Sequence, residues 1–125
     1  MPAEVQRPLH LDEVVRHFPE LRVIMQHGAD PWWDEAIALL NKYDNLRLMT
    51  SAWAPRYLPP SLLRFMDGRG AGKVLWGSDY PVLSFERCLR EARALDLRPD
   101  ALDAFLGGAA DGFLALDAQP SSPAR

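Results

Sequence analysis

Three short apolar runs recur along the chain at an interval of about 26 residues: Leu21–Gln26, Leu46–Thr50 and Lys73–Gly77. That interval accommodates one strand, one crossover helix and two loops, so the sequence predicts consecutive βα units. Such units build a parallel sheet with right-handed crossovers, which leaves the C-terminal ends of all its strands on one edge. A closed (β/α)₈ barrel needs about 200 residues at minimum. With 125 residues, this chain is expected to form an α/β fold of three parallel βα units followed by C-terminal helices, and anything in it that looks like such a barrel is only part of one.

The segments between the runs carry helix signals. Leu11, Val14, Val15 and Phe18 fall at i, i+3, i+4 and i+7, the stripe of an amphipathic helix, and Pro19 ends it;. Asp30 is the expected N-cap of a second helix that opens at Pro31 and runs through Ile37 and Leu40 to Tyr43, with Asp44-Asn45 supplying turn chemistry before the second strand;. A third helix is expected from about Pro60 to Met66. Ser84 can cap a fourth running to about Leu95, Pro99 can open a fifth ending near Gly107-Gly108, and Ala109–Leu116 a sixth;. Residues 1–118 read as one domain and 119–125, rich in proline and serine, as a frayed tail;.

Composition removes several function classes. With 17 acidic and 14 basic side chains, a formal net charge of −3 and no Lys/Arg-rich run, nucleic-acid binding has no electrostatic basis. No apolar stretch reaches the roughly 18 residues of a membrane span, and the start, Met1-Pro2-Ala3-Glu4, is unlike a secretory signal, so a cytoplasmic location is expected. Cys88 is the one cysteine, which rules out an intrachain disulfide and leaves packing as its expected role.

The strand ends carry the chemistry. On the shared edge the pattern places His27 after the first strand, Thr50 and Ser51 after the second, and Ser78 and Asp79 after the third. An imidazole and a carboxylate, 52 positions apart in sequence, would thus face one crevice. Both are suitable ligands for a divalent metal such as Zn²⁺, and both can act as a base beside metal-bound water. Two groups do not complete a site, since catalytic zinc takes three protein ligands plus water. The plainer alternative is a loop histidine holding a carbonyl and a turn aspartate before Pro81, and the residues alone leave both readings open. Trp32 and Trp53, with Trp33 and Tyr57 beside them, follow the first two strands, where aromatics line pockets for flat organic ligands or close a hydrophobic layer;.

Other candidates are weaker. His10 and His17 read as surface residues. Gly68-Arg69-Gly70-Ala71-Gly72-Lys73 lacks the glycine five places before Gly72, where Asp67 stands, and has Val74 in place of the Ser/Thr that holds Mg²⁺, so it reads as an αβ connection and not a phosphate loop;. The same lack counts against a doubly wound nucleotide-binding domain. Ser51 and Ser78 lack the G-x-S-x-G elbow of a hydrolase nucleophile;.

Three stretches together resemble a known family: Phe18-Pro19-Glu20-Leu21-Arg22-Val23-Ile24-Met25-Gln26-His27-Gly28, the Asp44-Asn45-Leu46 lead-in to the second strand, and Lys73-Val74-Leu75-Trp76-Gly77-Ser78-Asp79-Tyr80-Pro81. They are similar to the C-terminal third to half of the amidohydrolase-related metal-dependent hydrolases, a group of the amidohydrolase superfamily that includes the aminocarboxymuconate-semialdehyde decarboxylase-like enzymes. The likeness runs over about residues 8–116. It implies a (β/α)₈ barrel in which the three strands here are the sixth, seventh and eighth. It implies that His27 matches the histidine ending strand six, which positions and activates metal-bound water or, in binuclear members, ligates metal. It implies that Asp79 matches the aspartate ending strand eight, a metal ligand that can also take a proton from that water. The cofactor implied is a divalent metal, zinc first, and the substrate a small organic carbonyl or carboxylate compound undergoing hydrolysis or decarboxylation. The family's H-x-H of strand one and its histidine of strand five have no counterpart in the 125 residues, and Ala109-Ala110 stands where an asparagine-alanine is common.

A sheet cut from a barrel has two unpaired edges and apolar side chains that require cover. Self-association or pairing with another barrel fragment is therefore expected. The chain reads either as one part of a composite enzyme or as a non-catalytic binding module with a vestigial site.

Overall fold

The computed structural model describes residues 2–115; the expected tail at 119–125 and the last residues of the expected domain lie outside them. Two 3₁₀ turns, Ala3–Gln6 and Pro8–Leu11, lead into α1 (Asp12–His17). Then follow β1 (Val23–Met25), α2 (Trp33–Lys42), β2 (Leu46–Met49), a 3₁₀ turn (Pro55–Tyr57), α3 (Pro60–Met66) and β3 (Val74–Leu75). The described residues close with α4 (Phe85–Arg93), α5 (Pro99–Asp103), a kinked segment (Ala104–Gly108) and α6 (Ala109–Leu114). The three strands form one parallel sheet in the order β1-β2-β3, the parallel βα arrangement that the 26-residue spacing implies and that the family resemblance places within a barrel. No helix among the described residues is long and apolar enough to cross a membrane.

The register sorts the side chains into two faces. Met25, Leu48 and Val74 are aligned across the sheet and are buried with Leu39 and Leu40 of α2 and Leu62, Phe65 and Met66 of α3. Alternation along a strand sends the intervening residues to the opposite face, where Ile24 is aligned with Arg47 and Met49 with Leu75. The last helix covers part of this second face: the Arg47 guanidinium lies 4.3 Å from the centre of the Phe113 ring, and Arg22 donates to the Phe113 carbonyl at 3.0 Å.

Polar side chains fasten the helices to the strands. The Asn45 amide nitrogen lies within 3.2 Å of the carbonyls of Val15, Phe18 and Leu21, tying the end of α1 and the approach to β1 to the foot of β2. Lys73 Nζ donates to the Leu40 carbonyl and, at 3.5 Å, to that of Tyr43, satisfying acceptors at the C-terminus of α2. Ser84 caps α4 as expected, its Oγ accepting from the Arg87 N–H at 3.2 Å. Pro60 and Pro99 stand at the first positions of α3 and α5. Cys88 is fully buried, and burial pushes its thiol pKa up.

Several boundaries differ from the sequence expectation. Helix α2 begins at Trp33 rather than Pro31, and Asp30 does not cap it, because its carboxylate accepts from the Trp33 indole N–H at 3.2 Å. Of the first helical stripe only Val15 is buried; Phe18 is 52% exposed, since the chain leaves the helix before that side chain reaches the core. The third strand stops at Leu75 because the Trp76 N–H turns to the Phe105 carbonyl, 3.1 Å away. The last two expected helices join through a kink in Ala104–Gly108, where Gly107 leaves helical geometry.

Two carboxylates lock the N-terminal segment. Glu35 of α2 pairs with Arg7, whose hydrogen bond holds the Glu35 pKa below its ordinary value. Asp12 accepts from the Tyr43 hydroxyl at 2.6 Å and from Lys42 at 3.2 Å, and these bonds lower its pKa, Tyr43 foremost. A depressed carboxylate pKa adds stability that is complete above the unfolded value of about 4 and is lost as pH falls through the lower folded value. The melting temperature is therefore expected to be level from pH 7 to about 5 and to fall below about pH 4. Glu35→Gln should flatten part of that fall in a calorimetric pH series.

Candidate functional site

The loop that follows each strand holds left-handed backbone. His27 has φ 66°, Gly28 φ 68°, Ala52 φ 69° and Asp79 φ 62°. Non-glycine residues adopt this region at a cost of roughly 1–2 kcal/mol and do so where the surroundings force them. The two residues that the sequence singles out for chemistry are thus both held in unusual backbone geometry at the C-terminal ends of β1 and β3, with side chains exposed. The outer strands stand two strand spacings apart, about 10 Å, with β2 between them.

The segment after β2 holds His27 on three sides. Ser51 Oγ accepts from the His27 main-chain N–H at 3.2 Å and lies 3.1 Å from its Nδ1. The Trp53 indole N–H donates to the His27 carbonyl at 2.8 Å, and the Gly28 N–H donates to the Met49 carbonyl at 2.9 Å. Thr50, Ser51 and Ser78 are buried, with relative exposures of 0%, 6% and 4%. Ser78 Oγ accepts from the Tyr80 N–H at 3.1 Å, and the Val82 N–H donates to the Asp79 carbonyl at 2.8 Å, which fixes the turn that presents Asp79. The Asp79 carboxylate has no hydrogen bond or ion pair among the described residues.

Trp53 meets Trp33 edge-on at 5.4 Å between ring centres and 79° between planes. Trp32 is half-buried, with the Arg7 guanidinium 5.9 Å from its ring centre. After β3, Tyr80 stacks on Phe85 at 5.4 Å. His10 and His17 bind main-chain carbonyls of Glu4 and Glu13 on the exposed surface, in line with the sequence reading. A cavity of about 430 Å³, lined among others by Arg7, His10, Gln26, His27 and Asp30, opens beside β1; it is of the size of small-molecule sites. The sequence reading missed this cavity, and it missed the bond from Ser51 to His27. Neither has a local signal, because one depends on the fold-back of the N-terminal turns and the other on strand register.

His27 and Asp79 are metal donors by type, but no group of three His, Cys, Asp or Glu side chains able to hold a metal is assembled among the described residues. Two donors fall short of the three protein ligands of a catalytic zinc, so these residues alone do not make a zinc site.

The architecture is that of a segment of a TIM barrel, whose C-terminal strand edge gathers histidine, serine and carboxylate side chains. A family model for amidohydrolases matches residues 1–116, and the chain belongs to that family, a family of hydrolases. It is 31% identical over 94 residues to L-fucono-1,5-lactonase from Burkholderia ambifaria, a match taking in 60% of this chain and 32% of the lactonase. Its fold is similar to the crystal structure of an uncharacterised TIM-barrel protein from Bordetella bronchiseptica, with a TM-score of 0.80, 29% identity, and coverage of 90% of this chain and 40% of that one.

Gly28 tests how tightly the site is built. A Cβ there would lie 2.5 Å from the Trp33 ring and 2.9 Å from the Trp53 indole nitrogen, at a φ of +68°. Gly28→Ala is expected to destabilise the chain by about 1–3 kcal/mol in chemical denaturation and to alter tryptophan fluorescence by displacing Trp53.

Proposed function

We propose that this chain supplies the part of a hydrolytic centre formed by strands six to eight of the barrel, acting on a cyclic ester. The observation that carries this reading is the placement of His27 and Asp79 at the C-terminal ends of two strands of one parallel sheet, both in left-handed backbone. The C-terminal edge is where barrels of this type hold their catalytic groups. The lactonase relative favours a lactone over the decarboxylation substrate that the family likeness also allows.

Lactone opening requires a water oxygen to attack the carbonyl carbon, a group to take the proton that water loses, and a donor for the charge that develops on the carbonyl oxygen. Asp79, exposed and without a partner among the described residues, is assigned the proton. His27 is assigned the hydrogen bond that orients the reacting group, and Trp32 and Trp53 flank the substrate. When the proton passes from Asp79 to the departing ring oxygen, the acyl C–O bond breaks and a hydroxy acid leaves. A divalent metal, zinc first, would be held by Asp79 together with ligands from beyond the described residues, and it would supply Lewis-acid polarisation.

The chain combined with a barrel segment that supplies the remaining metal ligands, assayed with L-fucono-1,5-lactone and related sugar lactones in a pH-indicator assay with added zinc, should show hydrolysis that the chain alone lacks. Asp79→Ala and His27→Ala should each lower the rate by about 10²–10⁴-fold. Elemental analysis of the combined segments should find zinc that Asp79→Ala loses. Absence of hydrolysis under all of these conditions, or rates unchanged in both variants, overturns the reading.

The reading also entails a partner. β1 and β3 are the edges of a three-stranded sheet, and Tyr80, Val82 and Phe85 are exposed by 65%, 65% and 53% just past β3. We propose that a second copy or another barrel segment covers these surfaces. Light scattering should give a mass above that of one chain, and a well-folded monomer at all concentrations would refute the pairing.

A further inference from the structure

Ser51 meets His27 twice through a single oxygen. Its Oγ lies 3.2 Å from the His27 main-chain nitrogen and 3.1 Å from Nδ1 of the same residue, and the serine is 6% exposed. The main-chain N–H is a donor only, so it donates to Oγ. The hydroxyl has one proton of its own, and among the described residues the acceptor within its reach is Nδ1. The reverse arrangement, with Nδ1–H donating to Oγ, would leave that buried proton with no acceptor, which burial disfavours.

We propose that Ser51 is a positioning residue for His27: its O–H donates to Nδ1 and holds the neutral imidazole in the tautomer protonated on Nε2. The rest of His27 is already fixed by the Trp53 bond to its carbonyl, the Gly28 bond to Met49 and the left-handed φ. Side-chain rotation is the freedom left, and the hydroxyl removes it. All three strands contribute. At the end of β3, a Cβ on Gly77 would lie 3.2 Å from the Ser51 Cβ and 3.1 Å from Met49 Sδ, so the absence of a side chain there leaves room for the serine that orients the histidine of β1.

The inference rests on the reading above that His27 faces the substrate, and it makes that reading specific. With the Nδ1 lone pair occupied by Ser51, a neutral His27 offers a donor at Nε2. The tautomer also gives the buried serine one bond accepted, from the main-chain N–H, and one donated, to Nδ1, so both its contacts with His27 are satisfied;.

The test needs neither substrate nor metal. The ¹⁵N-labelled full chain is placed at about pH 8, above the ordinary histidine pKa of about 6.5, and its imidazole nitrogens are read by long-range ¹H–¹⁵N correlation, with His10 and His17 as internal references. His27 should show a pyrrole-type Nε2 and a pyridine-type Nδ1. Ser51→Ala should convert this pattern to an averaged mixture of tautomers, and Ser51→Thr, which restores a hydroxyl, should return it. A wild-type His27 protonated on Nδ1 overturns the proposal, as does an S51A pattern identical to wild type or a threonine that fails to restore it. Should S51A not fold, the wild-type spectrum decides the matter alone. Failure of lactone hydrolysis with a locked tautomer would sink the lactonase reading and leave Ser51 in its role; hydrolysis with a free tautomer would do the opposite.

Discussion

Pairing on both sides of β2 is the constraint on which the rest of the structure depends. β2 is the one described strand with a neighbour on each side, and the residues that flank it do as much as the ladder itself. Asn45, at its foot, gathers three carbonyls from the end of α1 and the approach to β1. Ser51 and Trp53, past its head, hold the residue that ends β1. A slip of one residue in the β1–β2 register would turn Met25 away from the core and part all of these contacts together. Position of the strand and position of the histidine are therefore one structural fact.

What the sequence made legible follows from range. The strands were visible because β-branched and aliphatic runs between turn residues have a local signature, and the parallel arrangement followed from the spacing between them. His27 and Asp79 were visible because they directly follow those runs. The Pro60, Ser84 and Pro99 helix starts were visible because capping is a local interaction. Asp30 shows the limit: it carries the chemistry of a cap, yet the Trp33 indole three residues on competes for its carboxylate, and no pattern weighs an indole against a backbone amide. Ser51 shows a second limit. No local motif around it signals its role, since its contact with His27 spans 24 residues and exists only in the assembled register. The cavity beside β1 was illegible for a similar reason, since its far wall is a proline-bearing leader pinned by Arg7 to Glu35 of α2.

The exposed strand ends and the buried helix-facing layer represent opposite uses of the same sheet. Leu46, Leu48 and Val74 are almost wholly removed from water, and their burial supplies the stability that lets His27, Ala52 and Asp79 remain in left-handed backbone;. Local strain of this kind persists only where surrounding contacts leave no relaxed alternative. Here those contacts are named: a serine, an indole and a main-chain bond around His27, and the Ser78 and Val82 bonds around Asp79.

The connection between α3 and β3 shows how two glycines of one short loop answer to unrelated limits. A methyl group on Gly70 would stand 2.2 Å from the Phe65 ring, whereas one on Gly72 would meet nothing within 4 Å but would have to be borne at φ +84°. The first position is closed by volume and the second by chirality. An L-alanine would thus be refused at Gly70 by the ring it meets and at Gly72 by the backbone angle it would have to hold, so space and handedness each close one position within three residues of chain;.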